Sequence, residues 1–249
     1  MIGRRLYAPE LPAQGGQLEL PDESVQHARV LRLTPGDAVE LTDTQLGVAS
    51  AVVVEHTARR LLCDAQPMRR LPAPSPALHL VLGLPKGGKL ADMARMLAEL
   101  GVASLHLAHT ERSVPRPARA EERLERLARI AREACLQSGQ PLAMTTQPAV
   151  PLPEAAARVP AGAHKLLFWE EGGVELPALR ALRPAPSGAA DQDAWVVVGP
   201  EGGLSAHEAQ LLTALGYTAV GLGPAVLRVQ TAAPVIAALV LDRLGRLRG

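Results

Sequence analysis

Two glycine-bearing segments in the C-terminal third of the chain contain residue types that can form a ligand site. The first, "VVVGPEGGLS" at 196–205, leads from a β-branched run into a turn with one acid, Glu201. The second, "GLGPAVLR" at 221–228, follows another short apolar run and ends on Arg228. Glycine lets the backbone approach a ligand closely, so the first turn could bind a phosphate or an adenosine-type cofactor.

The known phosphate-binding motifs match poorly. A Walker A loop ends in Lys-Ser/Thr, but "GPEGGLS" has no lysine and places Glu201 where a phosphate would be repelled. In "GLPKGGKLAD", Leu90 stands where the serine or threonine is required. A Gly-x-Gly-x-x-Gly fingerprint after the first strand is also missing. The phosphate interpretation is therefore weak.

An adenosine-type cofactor with a sulfonium centre needs backbone donors and acceptors rather than a phosphate cradle. Two glycine-bearing loops at the ends of parallel strands would converge on one crevice. Either loop alone is better explained as an ordinary strand-to-helix turn. The combination of both loops favours a cofactor pocket.

The elements that must position these loops alternate between strand and helix. After the proline-rich stretch Leu71–Ala77, apolar strands such as "ALHLVLGL" and "VASLHLAHT" precede amphipathic helices such as "LADMARMLAELG", which should end at Gly101. This pattern predicts an α/β domain with a mainly parallel sheet over 77–249. The stretches 148–162 and 183–190 are rich in Pro and Ala and low in complexity.

Residues 1–72 show a different pattern. Short alternating segments such as "QLEL" and "VASAVVVEHT" are separated by Pro, Gly and Asp. The segment "PDESVQHARVLRL" predicts one short helix with Asp22 or Ser24 as its N-cap. Short strands with a single small helix predict a compact β-barrel.

Composition limits the classes of function. The formal net charge of the 249 residues is +1, so any affinity for nucleic acid must come from a local basic patch. The two cysteines lie far apart without metal-ligand spacing. No apolar run reaches membrane-spanning length, and the first residues, "MIGRRLYAPE", lack the apolar core expected of a signal peptide. We expect a soluble cytoplasmic protein with no bound metal and no membrane association.

Several motifs occur together in one order along the chain: "VLGLPKGGKLADMARMLAELGV", "ERSV", "REACLQSGQP", "VVVGPEGGLSAHE" and "LGPAVLRVQTAA". With them the chain resembles the RsmE family, the 16S rRNA uridine-N3 methyltransferases of the SPOUT superfamily. "RRLY" and "HARVLRLTPGD" look like the RNA-binding barrel of the same family. The resemblance covers nearly the whole chain.

This resemblance implies a fold, a reaction and partners. The fold is a PUA-like β-barrel at 1–72 followed at 77–249 by a parallel-sheet methyltransferase domain with a C-terminal trefoil knot. The cofactor is S-adenosylmethionine, bound in the knot. The target is N3 of a uridine in 16S rRNA or in the small ribosomal subunit, and the protein is a homodimer.

The chain departs from the family pattern at several positions. Val229 and Gln230 follow the last motif's arginine where Thr and Glu are common, and Leu136 and Gln140 replace an acid and an arginine. The helix motif "QKATELGV" differs at 95–98, where Met96 is one of the changed residues. Two other hypotheses therefore stay open: a SPOUT methyltransferase with another target, such as a ribose 2′-O, or a non-catalytic RNA-binding assembly factor.

The resemblance also assigns residues to the cofactor and to the reaction. Arg228 would stabilise the developing uracil anion or its phosphate, unless it is a solvated or ion-paired arginine at a helix start. Glu201 would accept from a ribose hydroxyl or assist proton removal, or else cap the following helix. The residues expected to contact the cofactor are Leu82, Gly199, Pro200, Glu201, Gly202, Gly203, Leu222, Gly223, Val226 and Leu227.

The residues expected to bind RNA are mostly cationic, since phosphate neutralisation fixes register without reading bases. Aromatic residues make up only 2% of the chain, so contacts with phosphate and shape should outweigh base stacking. For each cation a plain solvated charge is the alternative. The predicted RNA-binding residues are Arg4, Arg5, Tyr7 and Arg32 in the first domain and Lys86, Lys89 and Arg112 in the second.

Overall fold

The chain forms two compact units. In the computed structural model, residues 4–113, 120–170, 179, 182, 192–223 and 225–247 are described. The first unit comprises Met1–Pro74 together with Arg132–Ala143, and the second comprises Ser75–Ala131 with Met144–Gly249. The sequence-based division did not place 132–143 in the first unit, because an uninterrupted amphipathic helix gives no sign of a boundary within it.

The first unit is built on a mixed sheet. Its strands run in the order β1-β3-β4-β5-β2, with β6 paired to β4. Strand β1 is parallel to β3, and the remaining pairs are antiparallel. Its elements are β1 (Arg5–Tyr7), β2 (Gly16–Glu19), α1 (Asp22–Val30), β3 (Ala38–Thr42), β4 (Gly47–His56), β5 (Leu61–Ala65) and β6 (Arg69–Arg70).

Helix α1 begins differently from the prediction. Its N-cap is Pro21, which offers no side-chain acceptor, so the predicted cap at Asp22 or Ser24 is wrong. The Ser24 hydroxyl instead donates to the carbonyl oxygen of Tyr7 at 2.6 Å. Asp22 and Glu23 occupy the first turn, where their charges complement the helix dipole.

The second unit has a six-stranded sheet in the order β12-β10-β11-β7-β8-β9. Every neighbouring pair is parallel, which confirms the predicted parallel sheet. Its elements are β7 (Leu78–Gly83), α2 (Leu90–Leu100), β8 (Ser104–His109), α3 (Ala120–Ser138), β9 (Thr145–Pro151), α4 (Leu152–Ala157), β10 (His164–Phe168), β11 (Ala194–Val198), α5 (Ala206–Ala214), β12 (Thr218–Val220) and α6 (Val229–Arg243).

The central strands explain the apolar runs in the sequence. Leu80 and Val81 of β7 and Val196 and Val197 of β11 are fully buried, as expected when both faces of a parallel sheet are covered. Helix α2 ends, as predicted, at Gly101, which adopts the left-handed conformation with φ of 87°.

Strand β9 and helix α4 lie in the segment that the sequence presented as low in complexity. Strand β9 lies at the edge of the sheet and has no neighbouring strand on its outer side. A proline such as Pro148 is tolerated there, because the N–H that it lacks has no strand partner on that side. Pro153 lies in the first turn of α4, where proline is tolerated. The stretch 183–190 lies outside the described residues.

Two histidines share one serine on the parallel sheet. His79 Nδ1 lies 2.6 Å from Ser104 Oγ, which in turn lies 2.8 Å from His106 Nε2. The His79 ring stacks on Trp195 with centroids 4.4 Å apart. Burial lowers the pKa of both imidazoles, that of His106 to about 4. Both rings are therefore neutral in the folded protein at pH 7.

This cluster predicts an acid-sensitive stability. The pKa of His106 falls from its ordinary value of 6.5 to about 4 on folding, so the unfolded chain binds the proton more tightly. Its contribution is present above pH 6.5 and is lost as the pH falls towards 4. Melting temperatures between pH 8 and pH 4 should fall less steeply for His106→Gln than for the parent protein. A His164→Gln control should keep the parent slope, and equal slopes for all three proteins would contradict this role.

Candidate functional site

A cavity of about 640 Å³ opens at the carboxyl ends of three adjacent strands, β12, β10 and β11. Its volume is in the range typical of small-molecule sites, and its place beyond the strand ends is where α/β sheets bind ligands. The lining residues come from the segments after the three strands and from the start of α6: Phe168, Trp169, Glu170, Val198, Gly199, Pro200, Glu201, Gly203, Val220, Gly221, Leu222, Gly223, Ala225, Val226, Leu227, Val229, Ala232 and Ile236.

Two glycines allow the turn at 199–203 to take its shape. Gly203 has φ of 69°, and any side chain there would collide with the carboxylate of Glu170. Gly83, at the end of β7, allows Pro200 to pack directly over it, since a Cβ there would lie 2.5 Å from Pro200 Cδ. Sequence reasoning missed Gly83, although a glycine within an apolar strand pattern is a recognised sign of close backbone approach.

Glu201 connects the turn to the segment after β7. Its Oε2 accepts from the backbone N–H of Lys86 at 2.9 Å, and its Oε1 lies 4.0 Å from Lys89 Nζ. The interpretation of Glu201 as the cap of the next helix is wrong, because Ser205 is the N-cap residue. Glu201 also lines the cavity, so its carboxylate is held at the edge of the ligand space.

A capping box fixes the start of α5 directly after the turn. Ser205 Oγ accepts from the N–H of Glu208, and Glu208 Oε2 accepts from the N–H of Ser205 at 2.9 Å. Glu208 is only 6% exposed, and its Oε1 accepts from the N–H of Glu111 at 2.8 Å. The cap therefore ties the loop after β8 to the turn.

Removing this cap should destabilise the protein modestly. We expect Ser205→Ala to lower the free energy of unfolding by about 1 kcal/mol, the usual cost of losing a serine N-cap. Urea denaturation followed by circular dichroism measures the change. Ser50→Ala, at an exposed position of β4, is the control and should be neutral. A loss in Ser205→Ala no larger than that of the control would contradict the role of the cap.

Most residues predicted to contact the cofactor line this cavity. The exceptions are Leu82 and Gly202. Leu82 is fully buried within β7, and the carbonyl oxygen of Gly202 accepts from Arg112 Nη1 at 2.9 Å. The structure adds Trp169 and Glu170, which follow β10 directly. The sequence could have indicated these two residues, because they directly follow β10, a predicted parallel strand. The carboxyl end of β10 lies beside that of β11 in the sheet.

Arg228 lies next to the cavity rather than among its lining residues. It is the exposed N-cap residue of α6, and its carbonyl oxygen accepts from the N–H groups of Thr231 and Ala232 at 2.8 Å. Its chain neighbours Leu227 and Val229 both line the cavity. No hydrogen bond or ion pair of its guanidinium is found within the described ranges, so the alternative of an ion-paired arginine has no support there.

Three predicted RNA-binding cations gather around the turn. Lys86, Lys89 and Arg112 are exposed. Lys86 and Lys89 both contact Glu201, through a backbone N–H and an ammonium respectively. Arg112 donates to Gly202. These three residues lie around the turn that borders the cavity and are hereafter called the Lys86–Lys89–Arg112 rim.

The predicted RNA-binding residues of the first unit differ in accessibility. Arg4 pairs with Asp37 at 2.5 Å and is 46% exposed. Arg5 is 16% exposed, pairs with Glu40 at 2.5 Å and donates to the carbonyl oxygen of Gln140. Arg5 thus holds the 139–143 segment within this unit, and its charge is already balanced.

Tyr7 and Arg32 complete the predicted set. The Arg132 guanidinium carbon lies 4.6 Å from the centre of the Tyr7 ring, which covers one ring face. Arg32 is exposed and adopts φ of 53°. One face of the Tyr7 ring is therefore covered by Arg132, whereas Arg32 is exposed to solvent.

The parts of the chain that the structure describes contain neither a candidate membrane span nor a candidate metal centre. No helix there is long and apolar enough to cross a bilayer. No group of three or more His, Cys, Asp or Glu residues there is arranged to hold a metal ion.

Comparison with known proteins identifies the family. A model described as an RNA methyltransferase domain matches residues 72–241. The chain is 31% identical to ribosomal RNA small subunit methyltransferase E of Mycobacterium bovis, over 94% of this chain and 90% of the relative. The chain belongs to the ribosomal RNA small subunit methyltransferase E family. The family member of Bacillus subtilis is 28% identical, with 84% of each chain covered.

Solved structures of similar proteins share the fold of this family member. The Neisseria gonorrhoeae ribosomal RNA small subunit methyltransferase E, bound to S-adenosylmethionine, has a TM-score of 0.83 and 27% identity, with 96% of this chain and 97% of that chain covered. A Legionella pneumophila protein in complex with the same cofactor has a TM-score of 0.83 and 25% identity, with 96% of each chain covered. The mixed α/β fold with a parallel sheet is thus the fold of the family.

Proposed function

We propose that this protein transfers a methyl group from S-adenosylmethionine to N3 of a uridine in the 16S rRNA of the small ribosomal subunit. The observation that carries the proposal is the cavity at the ends of β10, β11 and β12, in a chain of the ribosomal RNA small subunit methyltransferase E family. Structures of two similar proteins hold S-adenosylmethionine.

The residues of the cavity suit this cofactor. Apolar side chains such as Leu222, Leu227 and Ile236 provide a surface for adenine, and the glycine-bearing loops provide backbone donors and acceptors. Glu201 provides an acceptor for a ribose hydroxyl. We assign cofactor contacts to the predicted residues that line the cavity, namely Gly199, Pro200, Glu201, Gly203, Leu222, Gly223, Val226 and Leu227.

The bound cofactor supplies an electrophilic methyl group, and the protein must prepare the base that accepts it. The uracil imide loses its N3 proton to solvent, and the resulting anion is spread over N3 and two carbonyl oxygens. Arg228, exposed at the start of α6 and beside the cavity, stabilises that anion electrostatically. Glu201, held by Lys86 and Lys89, orients the cofactor as an acceptor.

The substrate binds through its phosphates. The Lys86–Lys89–Arg112 rim lies beside the cavity and anchors the backbone around the target uridine. Arg4 and Arg32 of the first unit are exposed cations that bind phosphates of the same RNA. The first unit serves as a PUA-like RNA-binding barrel, and the second unit carries the SPOUT trefoil knot. The working form is a cytoplasmic homodimer.

The decisive test maps methylated uridines in rRNA from the parent strain and from a strain that lacks this gene. We expect N3-methyluridine at one position of 16S rRNA to disappear in the deletion strain and to return when purified protein acts on small-subunit particles from it. An intact mark in the deletion strain would contradict the proposal. A ribose-methylated nucleoside in the product would point to a 2′-O target, and a folded protein that binds no S-adenosylmethionine would point to an assembly factor.

A further inference from the structure

We propose that Glu170 makes the cavity select the positively charged methyl donor over its uncharged thioether product. The inference rests on the proposed function, because it concerns the same cavity. Glu170 and Glu201 are the only ionisable side chains among the described residues that line the cavity. Two carboxylates without a lysine, arginine or histidine among them favour a cationic ligand.

The two carboxylates differ in their surroundings. Glu201 accepts from the N–H of Lys86 and lies 4.0 Å from the ammonium of Lys89, so part of its charge is already balanced. For Glu170, no hydrogen-bond donor and no cation is found among the described residues. Its negative charge therefore remains available to a ligand in the cavity.

The backbone before Glu170 is fixed from two sides. The N–H of Trp169 donates to the carbonyl oxygen of Val220 at the end of β12, at 3.2 Å. The indole Nε1 donates to the carbonyl oxygen of Leu204, also at 3.2 Å. Glu170 comes next in the chain, and its carboxylate lies against Gly203. A rigid backbone thus places one carboxylate against the turn that borders the cavity.

The reaction changes the charge of the ligand and little else. The carbon–sulfur bond breaks, its electron pair stays on sulfur, and the methyl carbon bonds to the deprotonated N3. The product keeps the adenosine and amino-acid parts but has lost the sulfonium charge. A carboxylate that interacts with that charge binds donor and product unequally, whereas one that accepts from a ribose hydroxyl binds both alike. Charge selection would let the donor compete better than the product for the same cavity.

Isothermal titration calorimetry separates these cases. The ligands are S-adenosylmethionine, S-adenosylhomocysteine and sinefungin, an analogue with an amine in place of the methylsulfonium. We expect Glu170→Gln to weaken binding of the two cationic ligands by about fivefold to tenfold, the size of one attraction between unit charges about 4 Å apart under water-like screening, because Glu170 is exposed. Binding of S-adenosylhomocysteine should change by less than about twofold on the same scale.

The matched control is Glu125→Gln, which removes one negative charge from an exposed position of α3 outside the cavity lining. It should leave all three affinities unchanged. Equal losses for donor and product in Glu170→Gln, or no loss for either, would overturn the inference and leave the proposed function standing. If the parent protein binds none of the ligands, the proposed function itself fails.

Discussion

Gly203→Ala is expected to weaken binding of S-adenosylmethionine by about tenfold, because the added side chain displaces the Glu170 carboxylate and strains the turn, both of which line the cavity. Gly203 has φ of 69°, where alanine is strained by roughly 1–2 kcal/mol. Its new Cβ would also collide with the carboxylate of Glu170. The collision is with the far end of a flexible side chain, so it is relieved most easily by moving the Glu170 carboxylate, which lines the cavity.

The control for this variant is Gly216→Ala. Gly216 also has a left-handed φ, of 87°, but no atom lies near its absent side chain and it does not line the cavity. Calorimetry with S-adenosylmethionine and thermal melting should therefore separate strain from collision. Both variants should lose stability, but only Gly203→Ala should lose affinity. Equal affinities in the two variants would show that the turn does not shape the cofactor site.

Arg228→Ala should reduce kcat on small-subunit particles lacking the mark by about a hundredfold or more, as expected when a donor that stabilises a developing anion is removed. The affinity for S-adenosylmethionine should stay within about twofold, because Arg228 is not a lining residue. The guanidinium lies at the N-terminus of α6, where a positive charge opposes the helix dipole.

Because Arg228 lies at the N-terminus of α6, its effect on stability can also be measured. If Arg228 were retained for stability, its removal would lower the melting temperature. We expect the melting temperature of Arg228→Ala to be unchanged or slightly raised, since the unfavourable interaction with the helix dipole is lost. Arg228→Lys keeps the charge and should retain more activity than the alanine variant. A kcat within twofold of the parent would support the alternative of a solvated arginine.

Much of the fold could be read from local pattern. The apolar runs of β7 and β11 predicted buried parallel strands, and Gly101 predicted the end of α2. These features depend on neighbouring residues in the chain, so a single sequence contains them. The helix-capping alternative for Glu201 is wrong, and the residues that show this are also close together in the sequence. Ser205 and Glu208, three residues apart, form a complete capping box at the start of that helix.

The sequence by itself determined that two glycine-bearing loops follow parallel strands, and therefore that they meet at one edge of a sheet. Only the tertiary structure decided what else meets there. Glu170 borders Gly203, and Pro200 packs on Gly83. The partners in each contact are far apart in the sequence, so the local hydrophobic pattern could not predict these contacts. Arg5, predicted to bind RNA, also pairs with Glu40 and donates to the carbonyl oxygen of Gln140. Strand order and long-range side-chain pairing set these contacts, and both depend on how distant elements pack.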